Sequence, residues 1–438
     1  MLLNAADKAL WRLALPMIFS NITVPLLGLV DTAVIGHLDS PVYLGGVAVG
    51  ATATSFLFML LLFLRMSTTG LTAQAWGAKD PQRLARALVQ PLALALGAGV
   101  LIILLRLPLI DLALHIVGGS EAVLEQARRF LEIRWLSAPA SLANLVLLGW
   151  LLGVQYARAP VILLVVGNLL NIVLDLWLVM GLRMNVQGAA LATVTAEYAT
   201  LIIGLLMAKR VLTLRGVSLA MLKNAWRGDL RRLLALNRDI MLRSLLLQLC
   251  FGALTVFGAR LGSDIVAVNA VLMTMLTFTA YALDGFAYAV EAHSGQAYGA
   301  RDGSQLLEVW RAACRQSGMV ALAFALIYSL AGQYIIALLT SLPSLQQLAD
   351  RYLIWQTILP VVGVWCYLLD GMFIGATRGA EMRNSMAVAA AGFAVTLLTV
   401  PALGNHGLWL AVAVFLALRG LSLALIWRRH WRRGTWFS

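Results

Sequence analysis

Charge is scarce in this chain: Asp, Glu, Lys and Arg together make up 12% of its 438 residues. Soluble globular chains carry about 25%. That scarcity excludes an ordinary cytosolic protein, which needs a charged shell, and a disordered chain, which needs more charge still. Cysteine is equally sparse. Cys250, Cys314 and Cys366 lie scattered in or beside apolar stretches, and no CxxC or Cys/His spacing occurs, so neither a disulfide framework nor a thiolate metal site is indicated. The histidines, His37, His115, His293, His406 and His430, are dispersed without an i,i+4 pair. No Walker, HExxH or GxSxG motif is present, which removes the phosphate loop, the zinc helix and the nucleophile elbow. The expectation is a protein that is not an enzyme, has no cofactor and no metal centre, and is not driven by ATP through this chain.

What the chain has in excess is apolar length. Hydrophobic residues make up 61% of it, gathered in runs at 13–37, 46–70, 87–110, 130–156, 159–182, 186–208, 240–262, 265–290, 316–341, 352–378, 384–404 and 407–427. About 20 residues of helix cross the hydrocarbon core of a bilayer. A lipid-exposed backbone must satisfy its own hydrogen bonds, which leaves helices or a closed barrel, and the alternating period of a barrel is missing. The expected fold class is an all-α polytopic membrane protein with twelve transmembrane helices. The opening MLLNAADKALWRLALP continues into apolar residues without a small-residue cleavage site and reads as a retained first helix, not a signal peptide.

The net charge of +13 is spread over many short loops and forms no groove-sized patch, so nucleic acid is not an expected partner. Topology and anionic lipid account for it better. With both termini cytoplasmic, most of the 33 basic residues fall inside, including Lys79, Arg83, Arg86 and Arg301, eight along 209–238, and Arg428, Arg429, Arg432 and Arg433 in the tail. The stretch 209–238 is also the longest polar interruption and sits at mid-chain.

An internal repeat surrounds it. AQAWGAKD at 73–80 recurs as GQAYGARD at 295–302, an offset of 222. At that same offset Gly36 meets Gly258, Leu131 meets Leu353, Gly149 meets Gly371 and Gly153 meets Gly375. Six spans, an even number, separate the copies, so the halves have one orientation and form a parallel repeat. The expected organisation is an N-lobe at 1–208 (helices 1–6), a basic cytoplasmic linker at 209–238, and a C-lobe at 239–438 (helices 7–12) ending in a basic cytoplasmic tail.

Ionisable residues within spans are costly unless they face a cavity or a partner, which makes them functional candidates. Asp31, Asp175, Glu197, Asp284, Glu291 and Asp370 qualify. Counting at about 1.5 Å per residue, Asp31 and Asp175 lie in the outer half of the membrane, with Thr193 at comparable depth. Asn171 precedes Asp175 by one helical turn and shares its face. These four are expected to form one polar cluster in the N-lobe. Asp284 and Asp370 belong to the inner half of the C-lobe, and they, with Glu197, are secondary candidates. Each also has a bland reading as a structural hydrogen-bonding group. Glu291, near His293 and Arg301, is expected to be solvated or ion-paired. Pro16 and Pro25 share span 1, where proline commonly kinks a helix, and are the candidate hinge.

The runs LPMIFSNITVPLLGLVDTAVIGHL, GLTAQAWGAKD and GNLLNIVLDLWLVMGLRMNVQGAALATVTAEY strongly resemble the multidrug and toxic compound extrusion (MATE) family and its DinF-like branch. GARLGSDIVAVNAV and LLDGMFIGATRGAEMRNS extend the likeness through the second half. The resemblance implies a multi-pass transporter of the bacterial inner membrane, acting as a monomer with small-molecule substrates and membrane lipid as its partners. It would exchange cationic or amphipathic compounds for H⁺ or Na⁺ by alternating access. In that branch the acids of the first and fifth helices are the coupling site. These fall on Asp31 in GLVDTAV and Asp175 in NIVLDLW, with Asn171 and Thr193 beside them. The same four residues would ligate Na⁺ if that ion is used. The NorM-like branch uses acids of the seventh and tenth helices. Asp370 matches the second of these, whereas the seventh helix here has no acid and offers only Gln248. The alternative within transport is a flippase of lipid-linked precursors from the same superfamily, which usually carries extra helices and a cationic cavity. A membrane-embedded enzyme is the alternative from another class.

Overall fold

The computed structural model describes residues 5–36, 40–228 and 230–438, and the side chains of residues 23–33 lie outside that description. Among the described residues all regular structure is helical. The first half contains α1 (Ala5–Gly36), α2 (Pro41–Leu60), α3 (Phe63–Gly77), α4 (Pro81–Leu104), α5 (Arg106–Val117), α6 (Glu121–Arg134), α7 (Ala138–Gly153), α8 (Arg158–Asp175) and α9 (Asn185–Leu214). After the short α10 (Leu219–Asn224) come α11 (Leu230–Leu261), α12 (Ser263–Gly299), α13 (Gly303–Leu339), α14 (Pro343–Gly375), α15 (Gly379–Thr396), α16 (Val400–Leu403) and α17 (Asn405–Arg433).

Local sequence explains where several helices begin. Ser40 and Asp80 each precede a proline, and their side chains accept hydrogen bonds from the first free backbone N–H groups of α2 and α4. An oxygen-bearing N-cap followed by proline is a favoured start, because proline lacks only a donor that would be unsatisfied there anyway. Some spans are built from two pieces. Pro41–Gly77 is broken at Leu61 and Leu62, Glu121–Gly153 passes through a tight turn at Trp135–Ser137, and Arg158–Gly181 ends in a π-helical turn. Eleven described spans are long and apolar enough to cross a membrane, and α1, of 32 residues, makes twelve. The protein is an all-α, multi-pass membrane protein of two six-helix lobes. Its helices run past the apolar runs because hydropathy marks only the hydrocarbon section, while the helix continues into the headgroup region.

The chain divides into two compact units, Phe19–Leu234 and Met1–Ile18 with Ala235–Ser438. This differs from a partition at 208 and 239 in two places, each with a physical reason. The first turns of α1 pack with the second half of the chain. The buried Asp7 carboxylate accepts two hydrogen bonds from Arg315 Nη2 at 3.0 and 3.1 Å, and Gln316 Nε2 donates to the Asp7 carbonyl at 2.9 Å. Trp11 meets Phe286 edge to face, and Gly285 leaves room for Ile18. The linker, for its part, is largely structured and docked on the first unit. Gln90 Nε2 of α4 donates to the carbonyls of Gly228 at 2.6 Å and Trp226 at 3.3 Å, Gln82 reaches Met221, and the Arg215 guanidinium stacks over Trp76 at 4.0 Å. The tail is also packed. Trp436 is 2% exposed against Phe373 and Tyr298, and Arg378 donates to the carbonyls of Thr435 and Trp436.

Each unit has its own core. In the first, Trp150 of α7 is fully buried among leucines of α4 and α7 and donates through Nε1 to the Leu84 carbonyl at 3.1 Å. In the second, Asn269 and Asn405 exchange amide hydrogen bonds at 2.9 and 2.8 Å, and Trp409 Nε1 donates to the Asn269 oxygen at 3.0 Å. The repeat is visible atom by atom. A Cβ on Gly149 would stand 2.5 Å from the Arg65 carbonyl, and one on Gly371 would stand 2.7 Å from the Ala287 carbonyl. Gly153 faces Thr69 and Thr72 as Gly375 faces Glu291 and Ser294. Every one of these pairs is 222 residues apart. Lys79 and Arg301 share a left-handed backbone, with φ of 53° and 51°, and Asp80 and Asp302 cap the helices that follow.

Candidate functional site

The N-lobe candidates lie on α8 and α9. Asn171 and Asp175 are one turn apart on α8, and both are buried, at 3% and 1% exposure. Asn171 Nδ2 donates to Thr193 Oγ1 of α9 at 3.4 Å, and that hydroxyl donates to the Ala189 carbonyl of its own helix at 3.2 Å. The Asn171 side-chain oxygen is buried and accepts no hydrogen bond among the described residues. Burying an amide oxygen without a donor is costly unless a cation or a proton-bearing group completes its surroundings. Immediately after Asp175 the helix widens into the π-helical turn Leu176–Gly181, closed by Leu182 N–H on the Trp177 carbonyl at 2.9 Å. Single π turns inside helices interrupt the regular ladder and frequently mark functional positions.

One turn further along α9, Glu197 is half-buried. Its carboxylate accepts from Asn144 Nδ2 of α7 at 3.0 Å, and the same amide donates to its carbonyl at 3.1 Å. Thr193 and Glu197 therefore share a face of α9, but Glu197 has a neutral amide as partner. The structure thus brings Asn171 and Thr193 into contact, with Asp175 on the same face of α8. The side chains of Asp31 and Pro25 lie outside the described residues. Helix α1 continues unbroken past Pro16, which is half-buried.

In the C-lobe Asp370 of α14 is buried at 8% exposure. One of its oxygens accepts from Arg243 Nη2 of α11 at 2.7 Å and from Arg419 Nη2 of α17. Both guanidinium groups are themselves buried. This ion triad ties three helices, and sequence reasoning did not pair these residues. The signal was present: each arginine interrupts an apolar run, and an ionisable residue there needs an opposite charge. What the sequence withholds is which acid lies opposite. Asp284 is half-buried on α12. Glu291, expected at a solvated or ion-paired position, is instead buried at 2% exposure, because its turn of α12 packs against Gly375 of α14. Arg65 is buried too, and its Nη1 donates to Thr69 Oγ1 at 3.3 Å.

Two long apolar lobes of repeated sequence, each with ionisable groups buried inside its helices, define a membrane transporter architecture. The MatE family pattern matches residues 16–177 and 240–403, one stretch in each lobe, and the chain belongs to that family. It is 87% identical over 436 residues to the DNA damage-inducible protein F of Escherichia coli (strain K12), covering 100% of this chain and 95% of that one. It is 26% identical over 454 residues to the chloroplastic Protein DETOXIFICATION 45 of Arabidopsis thaliana, covering 98% and 79%. The fold matches, with a TM-score of 0.86, the outward-facing conformation of a multidrug resistance MATE family transporter of the MOP superfamily, at 23% identity over 98% of this chain and 96% of that one.

Proposed function

We propose that the protein is a multidrug exporter of the bacterial inner membrane, in which inward movement of H⁺ or Na⁺ drives cationic or amphipathic compounds outward by alternating access. Family membership and the 87% identity to the Escherichia coli protein support the transporter class. The coupling site is assigned to Asp175, Asn171 and Thr193, with Asp31 as the fourth member. The observation that carries this assignment is the burial of Asp175 at 1% exposure one turn from Asn171, whose oxygen accepts no hydrogen bond among the described residues.

Loading of an ion neutralises the cluster and weakens its hold on a cationic substrate. Hydroxyl and amide oxygens suit H⁺ exchange through hydrogen bonds and suit Na⁺ as hard ligands. Both termini and the linker are assigned to the cytoplasm, a reading the distribution of basic residues supports. The test is dye efflux into everted vesicles under an imposed pH gradient and, separately, an imposed Na⁺ gradient. One gradient is expected to drive uptake in the wild type, with Asp175→Asn and Asp31→Asn reduced to the uncoupled background. Wild-type uptake in both variants would overturn the assignment.

A further inference from the structure

Glu197 lies near the middle of α9, a span of 30 residues, where an ionisable group is costly unless it faces a cavity or a partner. Its carboxylate accepts one hydrogen bond, from Asn144 Nδ2 to Oε2 at 3.0 Å, and the same amide donates to the Glu197 carbonyl. Oε1 accepts none among the described residues and stays accessible. No ion pair to Glu197 forms among the described residues, and these include every lysine and arginine of the chain.

The accessible oxygen does not face lipid. Thr193, Glu197, Gly204 and Ala208 share one side of α9, and Gly204 and Ala208 are buried there. The exposed Thr195, Ile202 and Leu206 lie on the opposite side. No residue of α7 is exposed, and its four half-buried residues are Ser141, Asn144, Leu145 and Leu148. They recur at i, i+3, i+4 and i+7 and so form one stripe, on a helix without a lipid-facing side. Glu197 and this stripe therefore line an interior surface of the first unit.

Asn171 touches Thr193, and Glu197 follows Thr193 by one turn, about 6 Å along the helix. A small hard cation needs several oxygen ligands, whereas Asn144 turns an N–H group, not its oxygen, to Glu197. An organic cation needs one counter-ion and apolar cover, and Leu145 and Leu148 supply that cover from the same stripe as Asn144.

We propose that Glu197 is the counter-ion for the positive charge of the transported compound, whose apolar body lies against Leu145 and Leu148. The substrate charge and the coupling ion then occupy neighbouring positions instead of competing for one carboxylate. Ion loading acts on the substrate through the shared negative potential, across one helical turn. This inference rests on the exporter reading above and assigns its substrate contact.

The test is fluorescence titration of the purified full chain in detergent with ethidium, a permanent cation, and with Nile red, which is uncharged. Glu197→Gln keeps an oxygen for Asn144 Nδ2 and removes only the charge. It is expected to raise the Kd for ethidium by about tenfold or more and to leave that for Nile red unchanged. Asn144→Ala removes the amide and keeps the charge, and is expected to bind ethidium more tightly than Glu197→Gln does. Equal ethidium affinity in wild type and Glu197→Gln would overturn the site alone. Parallel weakening of both dyes, or an equal loss in Asn144→Ala, would reduce Glu197 to a packing role between α7 and α9 and overturn it as well. Wild-type protein that binds no ethidium would overturn the exporter reading, and the site with it.

Discussion

At the scale of single residues, each lobe buries an aspartate among its helices. Asp370 has two guanidinium groups on one oxygen, so its charge is already matched by fixed cations. Asp175 is buried on α8 one turn from Asn171, whose amide donates to the Thr193 hydroxyl of α9. Neutralising Asp370 strands two buried arginines, and breaking a buried ion pair from one side costs about 3–5 kcal/mol. Asp370→Asn is therefore expected to lower the unfolding temperature strongly in any assay of the purified protein. Asp175→Asn is expected to abolish coupling. A wild-type unfolding temperature for Asp370→Asn would show that the triad is not a structural clamp. The two arginines are individually conspicuous in the sequence, but pairing them with Asp370 needs the separations of α11, α14 and α17 in space, 127 and 49 residues apart along the chain.

At the scale of elements, the repeat is a packing device. Gly149 and Gly153 bring α7 against the backbone of α3, and Gly371 and Gly375 bring α14 against α12. Apolar side chains gain little from leaving lipid for another helix, so close backbone approach through small residues supplies much of the association. Gly149→Ala sets its methyl 2.5 Å from the Arg65 carbonyl, and overpacking of this kind costs about 1–3 kcal/mol. Gly371→Ala is expected to behave alike, at 2.7 Å from Ala287. Gly97→Ala is the contrast, since its Cβ meets nothing within 4 Å. That change is expected to stabilise by up to about 1 kcal/mol through helix propensity alone. Thermal melts of the three variants check the order, and a destabilised Gly97→Ala would show that the space there is used. The glycine spacing was legible in the sequence, as was the equivalence of the two halves through their common offset. Which helix each glycine meets was not, because two helices in contact share no sequence pattern that names the partner.

At the scale of the whole molecule, the proposed orientation rests on the distribution of basic residues. Lys223 of the linker is exposed, whereas Cys250 and Cys366 are buried and Cys314 is half-buried. An impermeant thiol reagent is therefore expected to label Lys223→Cys in everted vesicles and not in intact cells, with the wild type as background. Labelling from outside would reverse the topology and with it the direction assigned to transport. The linker and tail, which carry 12 of the 33 basic residues, are more than solvated connectors. Gln90, Trp76, Arg378 and Trp436 hold them against their lobes through backbone carbonyls and buried rings, contacts between residues far apart in the chain.

Composition and periodicity alone determined the helical membrane class, the twelve spans, the duplication and the short set of candidate acids within the spans. Each follows from a local rule: an apolar run must be helical in lipid, and a charge inside it must have a reason. Only the tertiary structure decided that Asp370 is clamped by Arg243 and Arg419, that Glu291 is buried, that Asn171 touches Thr193, and that the first turns of α1 pack with the second half of the chain. These depend on which helix faces lie against one another, and hydropathy, which records only how apolar a segment is, carries no information about its neighbours.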